Sequence, residues 1–208
     1  FIGACRGSVN TRNGAHLLRL ATLSQGTLQQ WREDDRLGGF DWRRNGKLVM
    51  FRSASTFEHA RAKVTNFLQQ QVLSSVECAR LEPALAAGGF VGGIYTPNEE
   101  VGDCHAFCRQ LAARLEASGR CRFLLGRKVT GLRHAGGAVQ AIELGDEVMP
   151  VEQLVLAAGY RSAELALPGL SLPLYPLKGY SLSAPIGPQH KAPNVSITDY
   201  DRKIVYAR

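Results

Sequence analysis

The stretch that most constrains this chain runs from Val148 to Leu182. It begins with a continuous apolar run, Gln153-Leu154-Val155-Leu156-Ala157-Ala158-Gly159, that ends on glycine. A short run of this kind suits a strand buried on both faces, as in a parallel sheet covered by helices. Ala157, Ala158 and Gly159 then leave the backbone almost bare at the strand's carboxyl end. In open α/β sheets ligands sit at that edge, and small residues let a flat or charged ligand reach the main chain. Beyond it, Leu172-Pro173-Leu174-Tyr175-Pro176-Leu177-Lys178-Gly179-Tyr180-Ser181-Leu182 contains two prolines that exclude a helix. Its alternating apolar residues read as a strand entering a different sheet.

The length of the chain allows one large α/β domain or two lobes. Its 208 residues can bury a sizeable core, and 45% hydrophobic with 21% charged residues are globular values. No apolar run approaches the roughly 20 residues of a spanning helix. Phe1-Ile2-Gly3-Ala4, followed soon by Arg6, is too short an apolar patch for a signal peptide. The chain opens without Met and stops at Tyr206-Ala207-Arg208 within an alternating run, so it is expected to be an internal piece of a longer protein.

Five cysteines without a C-x-x-C pair suggest free thiols in a reducing compartment. Cys104, His105 and Cys108 could be drawn as a metal cluster, but a fourth ligand is not evident, so no metal is expected. The cysteines read instead as small apolar packing residues. Net charge is +7 and the pI about 9.4. The basic residues are scattered, without the interleaved aromatics of a nucleic-acid surface. Arg120, Arg122, Arg127, Lys128 and Arg133 form the densest group, read first as the solvated face of strands and second as an attraction to anionic phospholipid.

Taken in order, Gly14 to Leu37 has helical periodicity through Leu17, Ala21, Ser24, Leu28 and Trp31, with Asn13 as N-cap and Gly38-Gly39 as stop. Asp41 to Phe51 reads as a hairpin turning on Asn45-Gly46, the favoured type I′ pair. Ser55 is expected to cap a helix from Thr56 to Gln70 whose buried stripe is Phe57, Ala60, Val64, Phe67 and Leu68. A short helix follows near Ser75 to Leu81 and ends before Pro83. Gly88 to Tyr95 is expected to be a strand with glycines at points of close approach. Its glycine spacing matches neither the P-loop nor the dinucleotide pattern. Asp103 should cap a helix with Phe107, Leu111 and Leu115 on its apolar face, ending at Gly119; Glu99, Glu100 and Asp103 then serve the helix start. From Cys121 the pattern alternates: a parallel strand at Phe123-Leu124-Leu125, a three-strand antiparallel excursion with turns at Gly136-Gly137 and Gly145-Asp146, and a return to the sheet at Gln153.

Several of these segments carry a family resemblance. Tyr175 to Leu182 (YPLKGYSL) behind the LVLAAG strand is similar to the small-subunit family of D-amino-acid dehydrogenases, flavoenzymes related to D-amino-acid, glycine and sarcosine oxidases. Asn45-Gly46-Lys47-Leu48 with Phe51-Arg52-Ser53, Leu81-Glu82-Pro83-Ala84-Leu85, and Pro97-Asn98-Glu99-Glu100 with Gly102-Asp103-Cys104 match in the family's order. Together they cover nearly the whole chain.

The resemblance implies part of a Rossmann-like FAD-binding domain plus a substrate domain with a mixed sheet. The expected division is residues 1–39 as a helical segment, 40–100 as the first part of the substrate domain, 101–169 as part of the FAD domain and 170–208 as the second substrate part. It also implies FAD as cofactor, held at the Val129 backbone (adenine) and at Ala157, Ala158 and Gly159. The implied activity is oxidation of a D-amino acid to a 2-oxo acid and ammonia, with electrons passed to a quinone or other respiratory-chain acceptor. The location would be cytoplasmic, peripheral on the cytoplasmic face of the bacterial inner membrane. The family's amino-terminal G-x-G-x-x-G turn and its carboxyl-terminal segment do not occur in this sequence, so the chain alone is expected to be inactive. The substrate-holding arginine of related oxidases falls outside it, and no catalytic base can be named.

Tyr206, on the alternating Ile204-Val205-Tyr206 run, is a candidate for binding the substrate carboxylate; a packing tyrosine is the plainer reading. Two alternatives stay open: a glycine or sarcosine oxidase-like enzyme using dioxygen, and a non-catalytic basic module that binds membrane. A hydrolase is excluded because Gly179-Tyr180-Ser181-Leu182-Ser183 lacks the second glycine of a nucleophile elbow. The Asn194-Val195-Ser196 sequon carries no meaning without a secretory signal.

Overall fold

A computed structural model describes residues 7–34, 37–64, 69–165 and 169–208. The chain is α/β and divides into two compact units, one comprising residues 1–120 with 186–208 and the other residues 121–185. The divisions fall at 120/121 and 185/186, where the sequence placed them at 100/101 and 169/170. The helix that follows Asp103 therefore groups with the first unit, and the Pro-rich segment with the second.

The first unit opens with α1 (Gly7–Glu33). Asn13 lies inside this helix and does not cap it. The polar residues ahead of Asn13 are accommodated: Thr11 Oγ1 donates back to the Gly7 carbonyl at 3.0 Å, which satisfies its hydroxyl without a turn. Next come β1 (Lys47–Phe51), α2 (Ala54–Arg61), β2 (Gln71–Ser74), α3 (Ser75–Leu81), a 3₁₀ turn (Pro83–Leu85), β3 (Gly92–Thr96) and α4 (Cys104–Ala117). Strands β4 (Gly131–Ala135), β5 (Ala138–Leu144) and β6 (Glu147–Pro150) belong to the second unit. The first unit then resumes with β7 (Ser196–Asp199) and β8 (Ile204–Tyr206). Its sheet runs β2-β3-β1-β7-β8. The central strand β1 is antiparallel to β3 (Val49 opposite Ile94) and parallel to β7 (Leu48 opposite Ile197).

The expected Asn45-Gly46 hairpin is absent. Gly46 has φ +75°, but Asn45 is not among the residues with positive φ, and type I′ needs both. Distant strands take the hydrogen bonds that a hairpin would have made. The Gly46 amide donates to Glu99, its carbonyl accepts from Ser196, and Arg43 pairs with Val101. Helix α2 is also shorter than expected and is capped at Ser53, whose hydroxyl bonds Ser55 instead of an orphan amide. Phe67 and Leu68 of its predicted stripe lie outside the described residues.

Helix α3 matches the expected span. Ser74 and Glu77 form a reciprocal capping box at its start, and the Glu82 amide closes its end on the Cys78 carbonyl. Gly92 and Gly93 of β3 allow close packing. A Cβ on Gly93 would stand 2.8 Å from Leu48 Cδ1 and 3.0 Å from Cys78 Sγ, and one on Gly92 would stand 2.6 Å from the Phe57 ring. The resulting core centres on Leu48, Cys78 and Val195, with Leu73, Leu81, Leu85, Phe90 and Tyr95 against it.

The second unit holds an antiparallel meander of β4 (Gly131–Ala135), β5 (Ala138–Leu144) and β6 (Glu147–Pro150), the excursion read from the sequence. The parallel strands expected on either side of it are not formed. Phe123 to Leu125 and Gln153 to Ala158 have no strand pairing, and Val155 is 87% exposed. A parallel strand needs hydrogen-bonded neighbours. The only strands among this unit's described residues pair with one another. The Leu172 to Leu182 segment is likewise without strand pairing and so does not form the expected strand of a second sheet; Leu182 is fully exposed.

Candidate functional site

The four residues expected to meet a cofactor all lie in the second unit. Val129 is half-buried, just ahead of β4, where the neighbouring Thr130 amide donates to the Glu143 carbonyl at 2.8 Å. Ala157, Ala158 and Gly159 are exposed, with Gly159 opening a 3₁₀ turn that runs to Glu164. Gly159 has φ +58°, and no atom lies within 4 Å of where its Cβ would project. The three residues carry no side chain larger than a methyl group. What they offer a ligand is main-chain N–H and C=O at an open surface. That donor set fits a flat, polar group approaching the backbone, such as part of FAD.

The five-residue basic group is partly neutralised. Arg127 pairs with Glu147, and Arg133 Nε donates to Glu143 at 2.8 Å.

Tyr206 belongs to the first unit, on the edge strand β8, directly opposite Ile197 of β7. Paired residues share a sheet face, so Tyr206 sits on the face of Ile197 and Leu48, the core side, at the sheet edge, and is 41% exposed.

Sequence reasoning passed over the buried charges that set the position of β7. Glu82, 2% exposed, accepts the amides of Ala84 (3.1 Å), Asn194 (2.6 Å) and Val195 (3.1 Å). Asp199, fully buried, accepts Arg52 Nε at 2.8 Å and the Arg202 amide at 3.1 Å. Arg52 also donates through Nη1 to the Gly89 carbonyl. Both ends of β7 are thus held by carboxylates. Glu82 and Arg52 lie within the matched LEPAL and FRS segments, but a charged residue carries no local sign that it is buried, since charges are mostly exposed.

A groove of about 700 Å³ opens between α1 and α4 in the first unit. Leu28, Trp31, Phe40 and Phe107 form its apolar wall; Trp31 stacks on Phe107 with ring centroids 6.5 Å apart. At its rim Trp42 Nε1 donates to Glu100, which also takes two bonds from Arg44, while the Arg32 guanidinium lies over the Trp42 ring. Cys78, in the core below the sheet, has its thiol pushed up to about 11 by burial, which leaves it inert as a nucleophile.

The family model described as "DAO: FAD dependent oxidoreductase" matches residues 3–208. D-amino acid dehydrogenase 2 of Pseudomonas aeruginosa is 65% identical over 208 residues, covering 100% of this chain and 50% of that protein. D-amino acid dehydrogenase 2 of Ralstonia nicotianae is 40% identical over 219 residues, covering 100% of this chain and 52% of that protein. The chain therefore spans about half the length of these curated relatives. Among solved structures, glycine oxidase from Bacillus cereus is similar in fold at a TM-score of 0.62 and 18% identity, over 72% of this chain and 43% of that one. Glycine oxidase from Geobacillus kaustophilus reaches 0.60 at 22% identity, over 74% and 42%. With the family model matched along nearly the whole sequence, the chain belongs to the DAO family of FAD-dependent oxidoreductases.

Proposed function

We propose that this chain is part of an FAD-dependent D-amino acid dehydrogenase. The observation that carries the reading is its 65% identity, along its whole length, to a protein of that name. The reaction oxidises the Cα–N bond of a D-amino acid. The Cα hydrogen leaves with its electron pair, the amine loses a proton, and the imine that results is hydrolysed to a 2-oxo acid and ammonia. FAD, when bound, supplies the acceptor for that hydride.

The chain's own task is to hold and orient. In this reading the Val129 backbone and the bare main chain of Ala157, Ala158 and Gly159 hold the cofactor. Tyr206 would contribute a hydroxyl toward the substrate carboxylate from the edge of the first unit's sheet. Electrons pass on to a respiratory-chain quinone, which the dehydrogenase name of the relatives supports. Among the described residues no helix is long and apolar enough to cross a membrane. The +7 charge supports a peripheral attachment to an anionic bilayer.

The test uses the full-length enzyme under anaerobic conditions. Addition of a D-amino acid should bleach the flavin absorbance, the L-enantiomer should leave it unchanged, and a quinone or dye should restore it. Restoration by dioxygen at an equal rate, with stoichiometric hydrogen peroxide, would make the enzyme an oxidase. Bleaching by neither enantiomer would remove the amino acid assignment.

A further inference from the structure

The sequence reads Cys104 and Cys108 as small packing residues, yet the structure leaves both thiols free and exposed. They stand one turn apart on α4, where residues at i and i+4 project from the same side of the helix. Cysteine is among the most buried residue types, and within this chain neither thiol enters the core.

We propose that Cys104 and Cys108 form a two-coordinate thiolate site for a soft monovalent cation, copper(I). The geometry selects this chemistry. Side chains at i and i+4 have Cβ atoms roughly 5–6 Å apart. A disulfide needs about 3.5–4.5 Å, so an intact α4 keeps the pair reduced. Two metal–sulfur bonds of about 2.3 Å each, laid end to end, span about 4.6 Å, which two thiols one turn apart can bracket. His105 neighbours Cys108 at the i,i+3 spacing but is offset around the helix from Cys104, next to it in sequence, so it does not face both thiols at once. The Asp103 carboxylate is already engaged, accepting the Ala106 amide at 2.9 Å. Among the described residues no group of three or more His, Cys, Asp or Glu could hold a metal ion. Zinc, which takes four ligands, is therefore not served, whereas thiolates select copper(I). Binding replaces two S–H protons by one cation, and no electron is transferred.

The experiment equilibrates full-length enzyme, anaerobically and reduced, with copper(I) buffered by a chromogenic chelator. Wild type should withdraw one equivalent per chain that Cys104→Ser and Cys108→Ser each lose, with affinity reduced at least tenfold. Cys78→Ala should keep it, and excess zinc(II) should not displace it. Because a variant could fold poorly, a second measurement uses wild type alone: copper(I) should protect Cys104 and Cys108 together from alkylation, read by peptide mass spectrometry. Uptake unchanged in either serine variant, protection of only one of the two thiols, or displacement by zinc would overturn the proposal.

Discussion

The carboxylate of Glu82 accepts the amide of Val195 at 3.1 Å across 113 residues of chain. It takes the Asn194 amide at 2.6 Å through the same oxygen, while its other oxygen accepts from Ala84. One buried side chain thus ties the turn after α3 to the start of β7. Glu82→Ala would leave these buried donors without a partner, and an unsatisfied buried group costs roughly 1–3 kcal/mol. The expected loss of stability is about 3 kcal/mol, with Glu82→Gln, which retains an acceptor oxygen, losing less. Urea unfolding checks this; equal midpoints for wild type and Glu82→Ala would show that the amides find other partners.

Asp201 ties the lead-in to α2 to the loop after β7. Its Oδ2 accepts the Arg52 and Ser53 amides at 2.6 and 3.3 Å, and its Oδ1 accepts the Thr56 hydroxyl at 3.1 Å. The Arg52 amide, above all, holds this carboxyl below its ordinary value of 3.8. A depressed folded-state value means that the stabilisation is complete above the ordinary aspartate range and is lost as pH falls through the folded value. Asp201→Asn should therefore lower Tm at neutral pH, and the gap to wild type should close below about pH 4. A gap that stays constant down to acid pH would show that the carboxylate's charge is irrelevant.

The Gly93 contact predicts a specific rescue. A methyl group there meets Leu48 Cδ1 and Cys78 Sγ at 2.8 and 3.0 Å, inside a strand with neighbours on both sides. Gly93→Ala should destabilise by about 1–3 kcal/mol through overpacking. Adding Cys78→Ala removes the sulfur and should return part of that loss, so the two changes should not be additive in thermal unfolding. Strict additivity would mean that the backbone, not the sulfur, absorbs the strain.

These contacts show which parts of the fold local sequence could reveal. Helix α3, the Asp103 cap of α4 and the β4-β5-β6 meander are specified by residues close in the chain, and their signals survive in the structure. Asn45-Gly46 misled because local turn preference competes with pairing to β3 and β7, which no local window contains. The run ending at Gly159 has the composition of a buried strand, but composition does not supply the neighbour a strand must pair with. Glu82, Arg52 and Asp199 were illegible for a related reason: a charge reads as surface until its partners, from 37 to 147 residues away for Arg52, are known. Of the candidate site, the small residues at 157–159 are exposed. Tyr206 shares the core-side face of the sheet, which alternation along three residues could not decide.

Gly159 gives the sharpest test of the cofactor assignment, because its φ of +58° separates backbone strain from steric fill. Nothing within 4 Å would obstruct a Cβ, so Gly159→Ala should fold with a penalty of about 1 kcal/mol, the cost of a left-handed non-glycine residue. Gly159→Val places a β-branched side chain in a conformation it strongly disfavours and adds bulk over the main chain that FAD is proposed to approach. In the full-length enzyme, Gly159→Ala should lose part of its flavin and Gly159→Val nearly all of it, while Tm in flavin-free protein falls by only a few degrees in both. Tyr206→Phe, as a contrast, should leave flavin content unchanged. If its hydroxyl holds the substrate carboxylate equally in ground and transition states, KM should rise by about tenfold to a hundredfold with kcat preserved, as expected for a hydrogen bond of roughly 1.5–3 kcal/mol to a charged group. Absorbance at the flavin band relative to protein, followed by steady-state kinetics with a D-amino acid and a dye acceptor, reads both. Full flavin content in Gly159→Val would move the cofactor away from this turn, and an unchanged KM in Tyr206→Phe would make that tyrosine a packing residue at the sheet edge.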